Sequence, residues 1–144
     1  MAGHCFTYGS LMWADIMERV TGRALAGEPA VLADHARHPV RGQDYPGLRP
    51  APGREVPGRL YRDLGAAEWR RLDAFEGPDY ERVQVSLTLA DGRPETAWVY
   101  RFKAEQAAQL EVGDWDPQAF EQGGRERFIA RYVGFDQVDA ASGS

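Results

Sequence analysis

Apolar and polar positions divide the chain into five stretches that read as strands and three that read as helices. His4 to Tyr8 is a short β-prone run, stopped by Gly9-Ser10. Met12, Trp13, Ile16, Met17 and Val20 then recur at helical spacing up to Gly22, a natural stop. Residues 30–39 alternate weakly and predict a strand. Residues 56–62 predict another, with Val56, Gly58, Leu60 and Arg62 on one face and Arg59 and Tyr61 on the other. Between Gly42 and Gly58 stand Pro46, Pro50, Pro52 and Pro57. They exclude a helix and predict an extended, turning loop that leads into the strand.

Trp69, Leu72 and Phe75 are spaced by three in a helix predicted over 65–75, and Gly77-Pro78 ends it. Val83, Val85, Leu87 and Leu89 alternate with Gln84, Ser86 and Thr88. Asp91-Gly92 signals a hairpin, and Thr96, Trp98, Tyr100 and Phe102 alternate on the returning strand. Asp116-Pro117 supplies the cap and first-turn proline of a last helix carrying Phe120, Phe128, Ile129 and Tyr132, weakened by Gly123-Gly124. Hairpin connections and few helices exclude a doubly wound parallel sheet. The order predicts an α+β fold in which a mostly antiparallel sheet curls around helix faces. The length of 144 residues suits one domain, placed over 1–139, with 140–144 as a flexible tail.

Composition narrows the function. With 43% apolar and 27% charged residues the chain is globular, and it needs no metal or disulfide to hold a core of this size. Its 17 basic against 22 acidic residues give a net charge of −5 with no basic tract, which argues against nucleic acid as a partner. One cysteine, Cys5, excludes an intrachain disulfide and a multi-cysteine zinc site. No apolar run approaches the ~18 residues of a membrane span, and the first residues lack a secretory pattern, so no membrane and a cytoplasmic location are expected.

Three places are candidates for chemistry. Tyr8-Gly9-Ser10-Leu11 joins a strand to a helix through a tight turn whose amides can converge on an anion; it also reads as an ordinary turn with a serine cap. Leu72-Asp73-Ala74-Phe75-Glu76-Gly77 sets two carboxylates three apart in the last turn of a helix, where the macrodipole disfavours them. That placement raises a carboxyl pKa, the more so if Glu76 is enclosed, and suits a general base; a solvated helix end is the plainer alternative. Tyr80 and Arg82 share a face of the next strand and can reach a substrate or Glu76, or dress a sheet edge. His35 and His38 lie in an extended stretch without a metal motif, and Cys5 beside Phe6 reads as a small core residue. There is no G-x-S-x-G elbow and no Walker or dinucleotide glycine pattern, so no cofactor and no metal are expected.

Tyr8-Gly9-Ser10-Leu11-Met12, Tyr45-Pro46-Gly47-Leu48, Val56-Pro57-Gly58-Arg59-Leu60-Tyr61, and Leu72 to Gly77 followed by Tyr80-Glu81-Arg82 occur in this order. The order resembles the gamma-glutamyl cyclotransferase-like family, including its avirulence-induced-gene-like branch, over roughly residues 4–135. The resemblance implies a small mixed β-barrel flanked by helices with a cavity at its mouth. It also implies a γ-glutamyl small molecule as substrate, whose α-amine attacks its own γ-carbonyl to release 5-oxoproline and a free amine or amino acid. Glu76 is then the acid/base, and Tyr8, Gly9, Ser10 and Leu11 hold the glutamyl part; Tyr80, from its own place on the strand, can orient Glu76 or hold the substrate. Two departures leave the substrate unassigned. Phe75 stands where the glutathione-pathway type has a glutamine, and Met12-Trp13-Ala14 replaces the lysine-glycine-glutamine of the γ-glutamylamine type. The alternative is a non-catalytic module that binds an anionic ligand on the same fold, and an enclosed Glu76 favours catalysis over it.

Overall fold

In the computed structural model, which describes residues 3–130, five strands close into a barrel in the order β1-β3-β2-β4-β5. The strands are β1 (Gly3–Thr7), β2 (Gly27–Pro39), β3 (Pro46–Leu64), β4 (Tyr80–Leu89) and β5 (Pro94–Phe102). Every neighbouring pair is antiparallel except β1 and β5, which meet in parallel at Cys5 and Trp98. Helix α1 (Ala14–Thr21) and helix α2 (Ala66–Glu76) pack on each other outside the barrel. The expected α+β barrel flanked by helices is the fold observed.

Where helices cover it, the barrel is buried from both sides. Phe6, Leu32, Val56, Leu60, Leu87 and Val99 fill one apolar cluster. Cys5, Tyr61, Tyr100 and Phe102, on neighbouring positions of the same strands, join Ile16, Met17, Leu72 and Phe75 of the helices in a second. A period-two strand presents alternate residues to opposite faces, so Leu60 and Tyr61 are both fully buried, each in its own cluster. The aromatic alternation of β5 therefore belongs with the helices, and the smaller Ala97 and Val99 belong to the other cluster.

Two expectations are corrected. The stretch read as a loop is strand from Pro46 onward, paired with β2 from Pro39↔Pro46 to Gly27↔Tyr61. Its prolines are tolerated because β1 takes up the other side of β3 only from Arg59. Along the earlier half that side makes no ladder bond, so a missing N–H costs nothing there. An irregularity sits between Ala33 and His35, where Asp34 turns to φ 60° and its carboxylate accepts the Gly53 N–H at 3.0 Å. The last helix is not continuous: Pro117–Ala119 leads into a wide π turn at Phe120–Gly124 and resumes at Arg125–Phe128. The Gly123-Gly124 pair sits at that break. Asp116 caps its start as expected, accepting the Gln118 N–H. Tyr132 and the expected tail at 140–144 lie outside the described residues.

Candidate functional site

Beyond Thr7 the chain leaves the ladder and turns through Tyr8 and Gly9 into a 3-10 turn, Ser10–Met12. The helix predicted from Met12 therefore begins two residues later, at Ala14. Ser10 is not its cap: the N-cap position of the helix is Trp13, three residues further on, and Ser10 is fully buried. All four carbonyls of the turn are held. The Arg37 guanidinium donates to the Tyr8 carbonyl at 2.9 Å, and the Tyr61 hydroxyl donates to that of Leu11 at 2.9 Å. The Met12 and Trp13 amides donate to the carbonyls of Gly9 and Ser10 at 3.0 and 3.3 Å. In a planar trans peptide the N–H points opposite to the C=O, so this pinning also fixes where the amides of Gly9, Ser10 and Leu11 aim. The first amides of a 3-10 turn have no acceptor inside it, which leaves them suited to an anion. The Tyr8 phenol belongs to the frame: it is 2% exposed and its hydroxyl donates to the Tyr100 carbonyl at 2.6 Å.

Helix α2 carries the second candidate. Gly65 starts it, its N–H donating to Glu68 at 2.8 Å, and the Gly77 N–H closes it on the Asp73 carbonyl. Trp69, Leu72 and Phe75 bury one face, and this draws the terminal Glu76 inward to 1% exposure. Asp73, one turn earlier, stays half exposed, so the pair divides: one carboxylate goes to the interior and one to the rim. Asp73 accepts the Tyr100 hydroxyl at 2.7 Å and faces Arg82 at 3.4 Å. The Arg82 guanidinium lies over Trp69 at 4.7 Å and Trp98 at 5.6 Å. Arg82 is thus engaged by Asp73 and two indoles.

Tyr80 opens β4 inside the protein, with its hydroxyl donating to the Pro46 carbonyl at 2.8 Å. Its ring stands 6.4 Å from that of Tyr45 and 5.1 Å from that of Phe102. Burial first, and then the neighbouring charges of Tyr8, Glu76, Tyr45 and Asp79, push its phenol far above the ordinary range. The same interactions show that the fold brings Tyr8, Tyr45, Glu76 and Tyr80 into one electrostatic neighbourhood. Burial likewise raises Tyr61 to about 12, so it remains a protonated donor to Leu11. Cys5 is fully buried and its thiol is pushed upward, mainly by burial and then by Glu76. An inert core residue is what that environment makes of it.

Beside the turn lies an open groove of about 610 Å³, walled by Met12, Trp13, Leu25 and Tyr61 with Arg59 as its charged member. Among the described residues no group of three or more His, Cys, Asp and Glu side chains is placed to hold a metal ion. His38, for its part, is engaged by the Gly113 carbonyl and by Arg49. No helix among the described residues is long and apolar enough to cross a membrane. Arg37 is the functional candidate that spacing did not reveal. It sits between Ala36 and His38 in a weakly alternating strand, and its burial depends on a loop 77 residues away.

Residues 5–117 match the family described as gamma-glutamyl cyclotransferase, AIG2-like. AIG2-like protein D of Arabidopsis thaliana is 30% identical over 125 residues, covering 86% of this chain and 82% of its own. Protein AIG2 C of the same plant is 27% identical over 132 residues, covering 88% and 77%. A solution structure of an Arabidopsis thaliana protein superposes with a TM-score of 0.71 at 25% identity, over 90% of this chain and 87% of that one. A structure named gamma-glutamyl cyclotransferase shares the fold with a TM-score of 0.68 at 18% identity, over 100% and 90%.

Proposed function

The chain belongs to the AIG2-like gamma-glutamyl cyclotransferase family, and from that premise we propose that it cyclises a γ-glutamyl amine or peptide to 5-oxoproline with Glu76 as general acid/base. The observation that carries this reading is the near-complete burial of Glu76 at the end of α2, in the neighbourhood of Tyr8, Tyr45 and Tyr80. A carboxylate at a helix C-terminus gains nothing from the dipole, and burial adds a desolvation cost, a placement that suits a group whose task is to take up and return a proton.

The reaction moves two protons, forms one C–N bond and breaks another. The substrate's α-ammonium gives a proton to the Glu76 carboxylate, and the freed amine attacks the γ-carbonyl carbon. The tetrahedral oxyanion collapses, the bond to the leaving nitrogen breaks as Glu76 returns its proton to that nitrogen, and the released amine takes the second proton from the ring nitrogen, which leaves a neutral lactam and an ammonium. Both reacting groups belong to one molecule, so holding the glutamyl chain in a ring-closing pose supplies much of the barrier reduction, with effective molarities of ~10⁵ M or more. The pinned turn is suited to this, since its amides can hold the α-carboxylate or the oxyanion. The groove between Trp13 and Arg59 leaves room for the departing amine. A cytoplasmic setting suits a substrate of this kind.

The test is incubation with a panel of γ-glutamyl amino acids, γ-glutamyl amines and glutathione, with mass-spectrometric detection of 5-oxoproline. Glu76→Gln keeps the shape and removes the titrating oxygen, and should lower turnover by about 10²–10⁴-fold. A folded E76Q protein that turns over at the wild-type rate would falsify the role of Glu76.

A further inference from the structure

Of the four donors that pin the carbonyls of the turn, two are the next amides along the chain, of Met12 and Trp13, and one is the neutral phenol of Tyr61. The fourth is a charge from elsewhere in the chain. Arg37 has a side chain 4% exposed and commits three N–H groups. Its Nε and Nη2 donate to the two carboxylate oxygens of Asp114 at 2.9 and 3.0 Å, and its Nη1 donates to the Tyr8 carbonyl at 2.9 Å. Its guanidinium lies 5.4 Å from the centre of the Trp115 ring. The fork to Asp114 uses the planar geometry that only arginine has, and it sets the angle at which the third donor meets Tyr8.

That carbonyl lies one residue past the end of β1, outside the ladder. The peptide unit that carries it also carries the Gly9 N–H, which is therefore aimed by the Arg37 bond. We infer that Arg37, held by Asp114, is a positioning residue for the turn at residues 8–11, and that the segment carrying Asp114 and Trp115 is mechanically coupled to the site through it. The catalytic part of this inference rests on the function proposed above; the positioning part does not.

Two variants test it. Arg37→Lys keeps the charge but replaces the fork with one ammonium that cannot serve Asp114 and Tyr8 together. Asp114→Asn keeps the shape and removes the counter-charge. Backbone ¹⁵N order parameters of Gly9, Ser10 and Leu11 should fall from about 0.85 toward 0.6 in R37K, and by less in D114N, while those of α2 and β4 hold. In turnover, R37K should lower kcat/KM about tenfold, through KM where the turn's amides hold the α-carboxylate and through kcat where they hold the oxyanion. Unchanged order parameters at residues 9–11 in both variants would overturn the inference, as would a uniform drop across the barrel, which marks plain destabilisation. If the wild-type protein releases no 5-oxoproline from any substrate, the functional reading fails, and the order parameters still decide whether Arg37 positions the turn.

Discussion

Gly58 of β3 lies hard against β1, and replacing it with alanine sets two effects of opposite sign against each other. A Cβ built there lies 2.1 Å from the Thr7 carbonyl oxygen and 2.6 and 2.8 Å from two carbons of the Phe6 ring. Gly58 is not in the left-handed region, so alanine suits its backbone and gains about 0.4–1 kcal/mol by restricting the unfolded chain. Against this, an ordinary carbon–oxygen contact needs about 3.3 Å, so the Thr7 carbonyl must retreat by roughly 1.2 Å. That carbonyl is backbone of β1, and the buried Phe6 ring blocks the other side, so no rotamer change relieves the clash. Overpacking of this kind costs about 3 kcal/mol, the upper end of the usual range. The net loss is about 2–3 kcal/mol, or roughly 5–12 °C in Tm for a chain near this length. Gly53→Ala is the control: nothing lies within 4 Å of its Cβ, but its φ of +82° adds backbone strain of about 1–2 kcal/mol. Thermal and urea unfolding of both variants should rank Gly58→Ala clearly below Gly53→Ala. A Gly58→Ala protein melting within 2 °C of wild type (about 1 kcal/mol or less) would refute the close-contact reasoning.

Two further outcomes follow from the frame around the turn. Tyr61→Phe deletes one oxygen from a fully buried ring and leaves the Leu11 carbonyl without its 2.9 Å donor, for a cost of about 1–3 kcal/mol in urea unfolding; because the unfolded phenol ionises at about 10 and the folded one only at about 12, the loss should be the same at every pH between about 6 and 9 and shrink above about 10, and a loss that varies below about pH 9 would count against the donor role. Asp114 is pulled up by burial, but the Arg37 hydrogen bonds and charge pull harder, and its folded pKa lies below the ordinary 3.8. A depressed carboxylate stabilises above its unfolded value and loses that contribution as pH falls through the folded one. The gap in urea midpoint between wild type and Asp114→Asn should therefore be full near pH 6 and shrink below about pH 4, and a gap that holds constant into acid would contradict the pairing.

The features legible in the sequence are those decided within a few residues. Helix α2 and its glycine boundary, the β4–β5 hairpin at Asp91-Gly92 and the cap at Asp116 all depend on local chemistry, and all are present. Where sequence reading erred, the missing information was what lies alongside. Pro46, Pro50, Pro52 and Pro57 look like loop residues until one knows that β3 has a partner on one side only along that stretch.

The site follows the same division. Glu76 was legible as a carboxylate out of place at a helix end, because that misplacement is local; its enclosure was not, because it depends on how the α2 face is buried. The turn was legible as Tyr-Gly-Ser-Leu, but the residue types alone leave its peptide planes free to rotate. What stops them is Tyr61 from one strand and Arg37 from another, the latter fixed by an aspartate 77 positions further on. A short motif thus names the groups that meet a substrate, while the donors that aim those groups are dispersed through the chain and have no spacing of their own. It follows that transplanting residues 8–12 into another barrel should carry over the chemistry of the turn but not its geometry, unless a buried guanidinium and a phenol reach its first and last carbonyls.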